Sequence, residues 1–250
     1  MRKLAMTELE STALPQTQPA GQLSTAINIF TAPGEAFTEI DQRPTKLFPL
    51  ALIAISTMAV MFWYFSILDF DWFIDGTISR SSRELTDDQA EAARETFGPM
   101  SQGNFKLLGV FGSLVGILAI YVLQASYLSM VSALSGDRYK FSNWFSLVLW
   151  CSLPTLLSVI GRGVTILLSP NGQLSAYDLD PLTLANLGMI SNNESIQTVL
   201  STLNLPMFWT LALLLMAYRQ CLNSSVVKAL SVVLTPYLLI FGVWAYFALG

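Results

Sequence analysis

Five stretches of the chain are apolar at nearly every position, and each approaches or exceeds the run of about 20 residues that a helix needs to cross a hydrocarbon core. The first, Leu47 to Leu68, lies between Arg43 and Lys46 on one side and Asp69, Asp71 and Asp75 on the other. The second, Leu107 to Leu134, lies between Lys106 and the Asp137, Arg138, Lys140 cluster. At 1.5 Å per residue it would measure about 42 Å, more than the core needs, so it must tilt or project. Trp144 to Leu168, Leu205 to Leu222 and Ala229 to Leu249 complete the set, the fourth being the shortest. These spans define a membrane domain over 47–249, with long loops over 69–106 and 169–204.

The polar segments carry weaker patterns. Residues 1–23 are rich in Thr, Gln, Pro and Ala, have almost no large apolar side chains, and read as a flexible tail. In the juxtamembrane segment 24–46, Ile27 and Phe30 share one helical face, Pro33 suits a first helical position, and Phe37 and Ile40 repeat the apolar spacing before Pro44. Two short helices are expected there, lying on the membrane surface. In the first long loop, Thr86 and Gln89 form a capping-box signature that predicts a helix from Asp87 to about Phe97, stopped by Gly98 and Pro99. In the second, Asp180 before Pro181 reads as a helix start, and Ile196, Val199, Leu200 and Leu203 recur at helical spacing.

Composition sharpens the class. The 250 residues are 53% hydrophobic and 12% charged, against about 25% charged in soluble domains. The fold class expected is an all-α integral membrane protein, a bundle of five transmembrane helices with short amphipathic surface helices. No histidine is present and there are only two cysteines, which excludes histidine triads, histidine metal sites and a disulfide scaffold. Cys151 and Cys221 fall in or near spans and read as free thiols. A net charge of −4 argues against nucleic acid as a partner.

Charge also orients the bundle. Arg2, Lys3, Arg43, Lys46, Arg138, Lys140, Arg219 and Lys228 fall on one side of the alternating spans, while most of the acid falls in the two long loops. Because basic loops resist translocation, the N-terminus is expected in the cytoplasm and the C-terminus outside.

Candidate chemistry is sparse. Asp69, Asp71 and Asp75 lack a closing bidentate Glu and a glycine loop, so a solvated cap is favoured over a cation site. Arg162, between Gly161 and Gly163, is the one charge well inside a span; it either snorkels to the nearby membrane surface or serves a function. Gln124 reads first as an interhelical hydrogen-bonding residue. Gly109, Gly112, Gly116 and Ala119 form a small-residue stripe expected to pack inside the bundle, with a homodimer face as the alternative. Pro154 and Pro236 should kink their spans and free backbone carbonyls that another group must satisfy. No phosphate loop, nucleophile elbow or Cys-x-x-Cys pair is present, so neither an enzyme nor a cofactor is expected.

Three segments taken in order carry a resemblance: Asn28 to Phe37 followed by Arg43-Pro44 and Phe48-Pro49, the Gly136 to Pro154 stretch, and Leu203 to Trp209 with Lys228-Ala-Leu and Pro236-Tyr237. Together they resemble the Yip (Ypt-interacting protein) domain family in its bacterial form. The resemblance implies a five-span bundle with a cytoplasmic N-terminus, in a bacterial inner membrane. Similar eukaryotic proteins sit in Golgi and vesicle membranes and bind Rab-class small GTPases; the Asp-Leu-x-Gly-Pro and Tyr-Gly-x-Ser signatures of those relatives are absent here. The expectation is a scaffold or adaptor with the lipid bilayer, membrane or cytoplasmic proteins and further copies of itself as partners, contacting them through Phe30, Phe37, Arg138 and Lys140. The alternative is a transport, permease-subunit or lipid-handling protein that uses Arg162 and Gln124.

Overall fold

The computed structural model describes residues 21–81, 88, 102–169 and 171–249. Apart from one antiparallel bridge pairing Thr183 with Asn204, regular structure among them is helical. The helices are α1 (Gln22–Thr31), α2 (Pro33–Gln42), α3 (Leu47–Ile67), α4 (Phe70–Ser81), α5 (Gln102–Ser135), α6 (Phe141–Cys151), α7 (Thr155–Leu167), α8 (Glu194–Thr202), α9 (Leu205–Leu222) and α10 (Val226–Leu249). Four of these, α3, α5, α9 and α10, are long and apolar enough to cross a membrane; α6 with α7, bent by 40°, adds a fifth if the pair is one span. The break falls at Ser152–Pro154, where the proline ring cannot continue the helix.

Pro236 acts differently. Helix α10 runs through it, and the carbonyl it would leave without an amide partner four residues earlier, that of Val232, accepts a hydrogen bond from the Tyr127 hydroxyl of α5 at 3.0 Å. Gln124 of α5 donates to the Tyr237 hydroxyl at 2.8 Å, so two polar links hold α10 to α5 within the apolar layer. This is the interhelical role the sequence favours for Gln124.

The core divides between the two ends of the bundle. At one end Ile29, Phe37, Ile40, Leu128, Trp144, Trp150, Leu213 and Tyr218 are buried together. Trp144 stacks on Tyr218 and donates to Ser132 at 2.8 Å; Trp150 stacks on Phe48 and donates to the Thr45 carbonyl at 3.0 Å. At the other end Tyr64, Phe65, Leu68, Val110, Ile166, Leu174 and Leu179 form a smaller cluster.

Several expectations need correction. Helix α1 begins at Gln22, inside the segment read as tail. Helices α1 and α2 pack on the bundle: Thr25 bonds Glu39 across an antiparallel hairpin, while Ile29, Ala36 and Phe37 are completely buried. The hairpin meets α9 at Gln220, which donates to the Gly34 carbonyl, and also at Trp209, against which Phe30 packs edge-on at 5.5 Å. Those two positions are about 16 Å apart along a helix. In the small-residue stripe only Gly109 is packed, since a Cβ there would stand 2.4 Å from the Phe65 ring. Gly112, Gly116 and Ala119 face outward, and a Cβ on either glycine would meet nothing within 4 Å. Pro181 starts no helix; the segment turns, because Leu184 and Leu205 bond to Leu203 and Leu182 on either side of the Thr183–Asn204 bridge. The helix expected over 87–97 lies, apart from Asp88, outside the described residues, and α8 over Glu194–Thr202 meets its expectation, capped by Asn193.

Candidate functional site

The spans bring chemistry together at both ends. At the hairpin end, α2 is fastened to the α5–α6 turn. Arg138 meets Asp41 at 2.8 Å, the Tyr139 hydroxyl also donates to Asp41, and Lys46 reaches Ser142. Ser146 and Trp150 of α6 both bond the Thr45 carbonyl. Burial, reinforced by the bond to Asp41, pushes the Tyr139 phenol well above its usual range, so it remains a proton donor. Lys228 stands 4.0 Å from Asp137 at the same end. Of the basic residues read from sequence as sharing one side, Lys46, Arg138 and Lys228 meet at this end of the bundle, while Arg2 and Lys3 lie outside the described residues.

The expected contact residues divide on this surface. Arg138 and Lys140 are exposed, with the Arg138 side chain 70% accessible. Phe37 is fully buried and Phe30 is half-buried against Trp209. Phe37 is thus a core residue and offers no contact surface. Sequence reasoning missed Asp41, Tyr139 and Gln220, which fasten the hairpin; a tyrosine between two basic residues in a short turn was the available signal.

At the opposite end Arg162 is paired with a carboxylate. Its Nη2 lies 3.3 Å from Asp180 Oδ2, and the side chains are 28% and 8% accessible. Asp180 is held in turn by the Leu182 amide at 3.1 Å and the Asn204 side chain at 3.4 Å. The carboxylate is carried to Arg162 by the loop that the Thr183–Asn204 bridge closes, and the approach is tight: a Cβ on Gly161 would lie 2.9 Å from the Pro181 ring. Gly172 supplies the neighbouring corner at φ +68°, where a side chain would strike the Ile67 carbonyl.

Beside the pair opens a cavity of about 250 Å³. Met61, Tyr64 and Phe65 of α3 form an apolar wall, while Arg162, Asp180, Thr183, Ser201 and Asn204 bring polar atoms. Arg162 Nε is buried without a hydrogen-bond partner, a deficit worth roughly 1–3 kcal/mol for an unmade buried bond. Sequence reasoning found Arg162 but not its partner, although a charge inside an apolar span calls for a carboxylate and the second long loop holds few. Asp69, in the acidic run, caps the first turn of α4 through the Trp72 amide and accepts from Gln173.

A family model described as the Yip1 domain matches residues 27–247, which takes in the hairpin from the middle of α1 onward, the candidate spans and the Arg162 loop. No curated protein and no solved structure matches the chain.

Proposed function

Since the chain belongs to the Yip1 domain family and has several helices able to span a membrane, we propose that it is a non-enzymatic scaffold whose working face is the cap built on α1 and α2. The observation that carries this reading is the construction of the cap. Its helices are seated on buried Phe37 and Ile40 and fastened at their rims by Asp41 and Gln220, which leaves Arg138 and Lys140 outward on a fixed platform. A platform of this kind holds its charged groups in place before a partner arrives, which lowers the ordering cost of association.

In this reading the cap faces the cytoplasm of a bacterial cell and the C-terminus lies outside the inner membrane, an orientation supported by the basic residues gathered at the cap end. The surrounding bilayer, a protein seated on the cap and further copies of the chain are its partners, and nucleic acid is not. The transport alternative draws on Gln124 and Arg162; Gln124 is committed to Tyr237.

The experiment places a photocrosslinking residue at Arg43 or Arg219, both exposed, in the full chain within its native membrane, and at Tyr177 or Leu187 as far-end controls. Discrete protein adducts from the cap positions, lost when Arg138→Glu and Lys140→Glu are combined, are the expected result. Adducts to lipid alone, or an adduct pattern indifferent to the charge reversal, would defeat the proposal. Deleting residues 1–41 is not a usable comparison, because it removes buried core side chains.

A further inference from the structure

We infer that the cavity between α3, α7 and the 174–204 loop binds a zwitterionic head, with its phosphate or carboxylate on Arg162 and its ammonium on Asp180. The site is distinct from the cap and lies at the other end of the bundle.

The argument starts from the guanidinium. Arg162 offers five N–H donors in a planar fork, yet its ion pair with Asp180 is a single contact at 3.3 Å through Nη2. Nε is buried and has no partner. An arginine that uses its fork well presents two parallel N–H bonds to one oxyanion; with Nε enclosed by protein, the outer donors of this 28% accessible side chain are the ones that can meet a second acid group. A simple anion placed there would also face the Asp180 carboxylate, which is 8% accessible and poorly screened by water. That repulsion is relieved if the ligand brings its own cation to Asp180. Asp180 holds two neutral donors, the Leu182 amide and Asn204, and its remaining lone-pair capacity suits an ammonium.

The walls fit the same ligand. At about 250 Å³ the cavity has room for one small polar head. Thr183, Ser201 and Asn204 supply neutral polar groups around it, and Met61 and Phe65 line its apolar side. Arg162 is five residues from the end of α7, about 7–8 Å along the axis. The partly exposed Trp63 and Trp72 lie near this same end, at the level tryptophans prefer at a membrane interface. A phospholipid head such as phosphoethanolamine meets this chemistry, and so does a soluble zwitterion.

The two sources are separated by measuring the purified full-length protein in detergent with each ligand. Native mass spectrometry with added phosphatidylethanolamine or phosphatidylglycerol gives the lipid arm; thermal stabilisation by glycerophosphoethanolamine gives the soluble arm. The proposal expects phosphatidylethanolamine to be retained over phosphatidylglycerol, or glycerophosphoethanolamine to stabilise, and the Arg162→Gln/Asp180→Asn double variant to lose that binding at least about tenfold, the scale of a lost charge-assisted hydrogen bond. Neutralising both partners avoids a stranded charge, and a monodisperse, helical variant shows that it folds. Arg162→Lys, which keeps charge without the fork, should fall between the two. Binding unchanged in the double variant, a preference for phosphatidylglycerol that depends on Arg162, or no binding in either arm would overturn the inference.

Discussion

Replacing Phe37 by alanine tests whether the hairpin is held by its buried core or by its surface ion pair. Phe37 is completely enclosed among residues of α6 and α9, and phenylalanine-to-alanine changes in such cores cost about 3–5 kcal/mol. The Arg138–Asp41 pair has one partner 70% accessible, and water screens such pairs so that they add little to stability. The assay uses Ala36→Cys as a reporter, since Ala36 is fully buried on the same helix, in a Cys221→Ser background. A water-soluble maleimide then labels only when the hairpin lifts. Phe37→Ala should accelerate labelling at least about a hundredfold, from its energy at 1.4 kcal/mol per decade, and Arg138→Ala far less. Cys151, also fully buried, should remain unlabelled and so shows that the bundle itself stays closed. A rise below about tenfold for Phe37→Ala would mean that the undocked hairpin rests in lipid, where apolar side chains lose little; an equal effect from Arg138→Ala would refute core seating outright.

Other expectations concern the rest of the bundle. Tyr139 titrates above its ordinary value of 10.0 in the folded state, so the folded chain holds more protons than the unfolded one above that pH, and stability should be flat below it and fall as pH rises beyond. Melting curves from pH 7 to 11 check this, with Tyr139→Phe flattening part of the fall; a decline already complete by pH 9 would contradict it. Gly109→Ala should destabilise by about 1–3 kcal/mol because its Cβ meets the Phe65 ring, whereas Gly112→Ala and Gly116→Ala should leave unfolding in detergent within about 0.5 kcal/mol of the parent. Gln124→Leu should cost about 0.6–2 kcal/mol by breaking the bond to Tyr237, and adding Tyr237→Phe to it should cost little more, a non-additivity readable in a double-mutant cycle.

Much of the architecture was legible because a spanning helix is a local object. In lipid each backbone group must be satisfied within its own segment, so length and continuous apolarity alone marked Leu47–Ile67 and Leu205–Leu222 to within a residue. Pro154 and its break were local for the same reason. The segregation of Arg138, Lys140 and Lys228 from the acidic loops followed from counting spans.

What the tertiary structure alone decided is which face of each helix turns inward. On a helix apolar all round, lipid and protein interior are equivalent solvents and leave no periodic signal. Hence Gly112 and Gly116 could read as packed yet face outward; Phe37 lies on an amphipathic helix whose apolar face was legible, but only the docking of α2 on the bundle makes it a core residue. The partner of Arg162 was hidden for a different reason. Asp180 lies 18 residues away, and the turn that returns it to the guanidinium is set by the Thr183–Asn204 bridge. A long-range contact of this kind depends on how the loop closes over the bundle, which no local pattern of residues records.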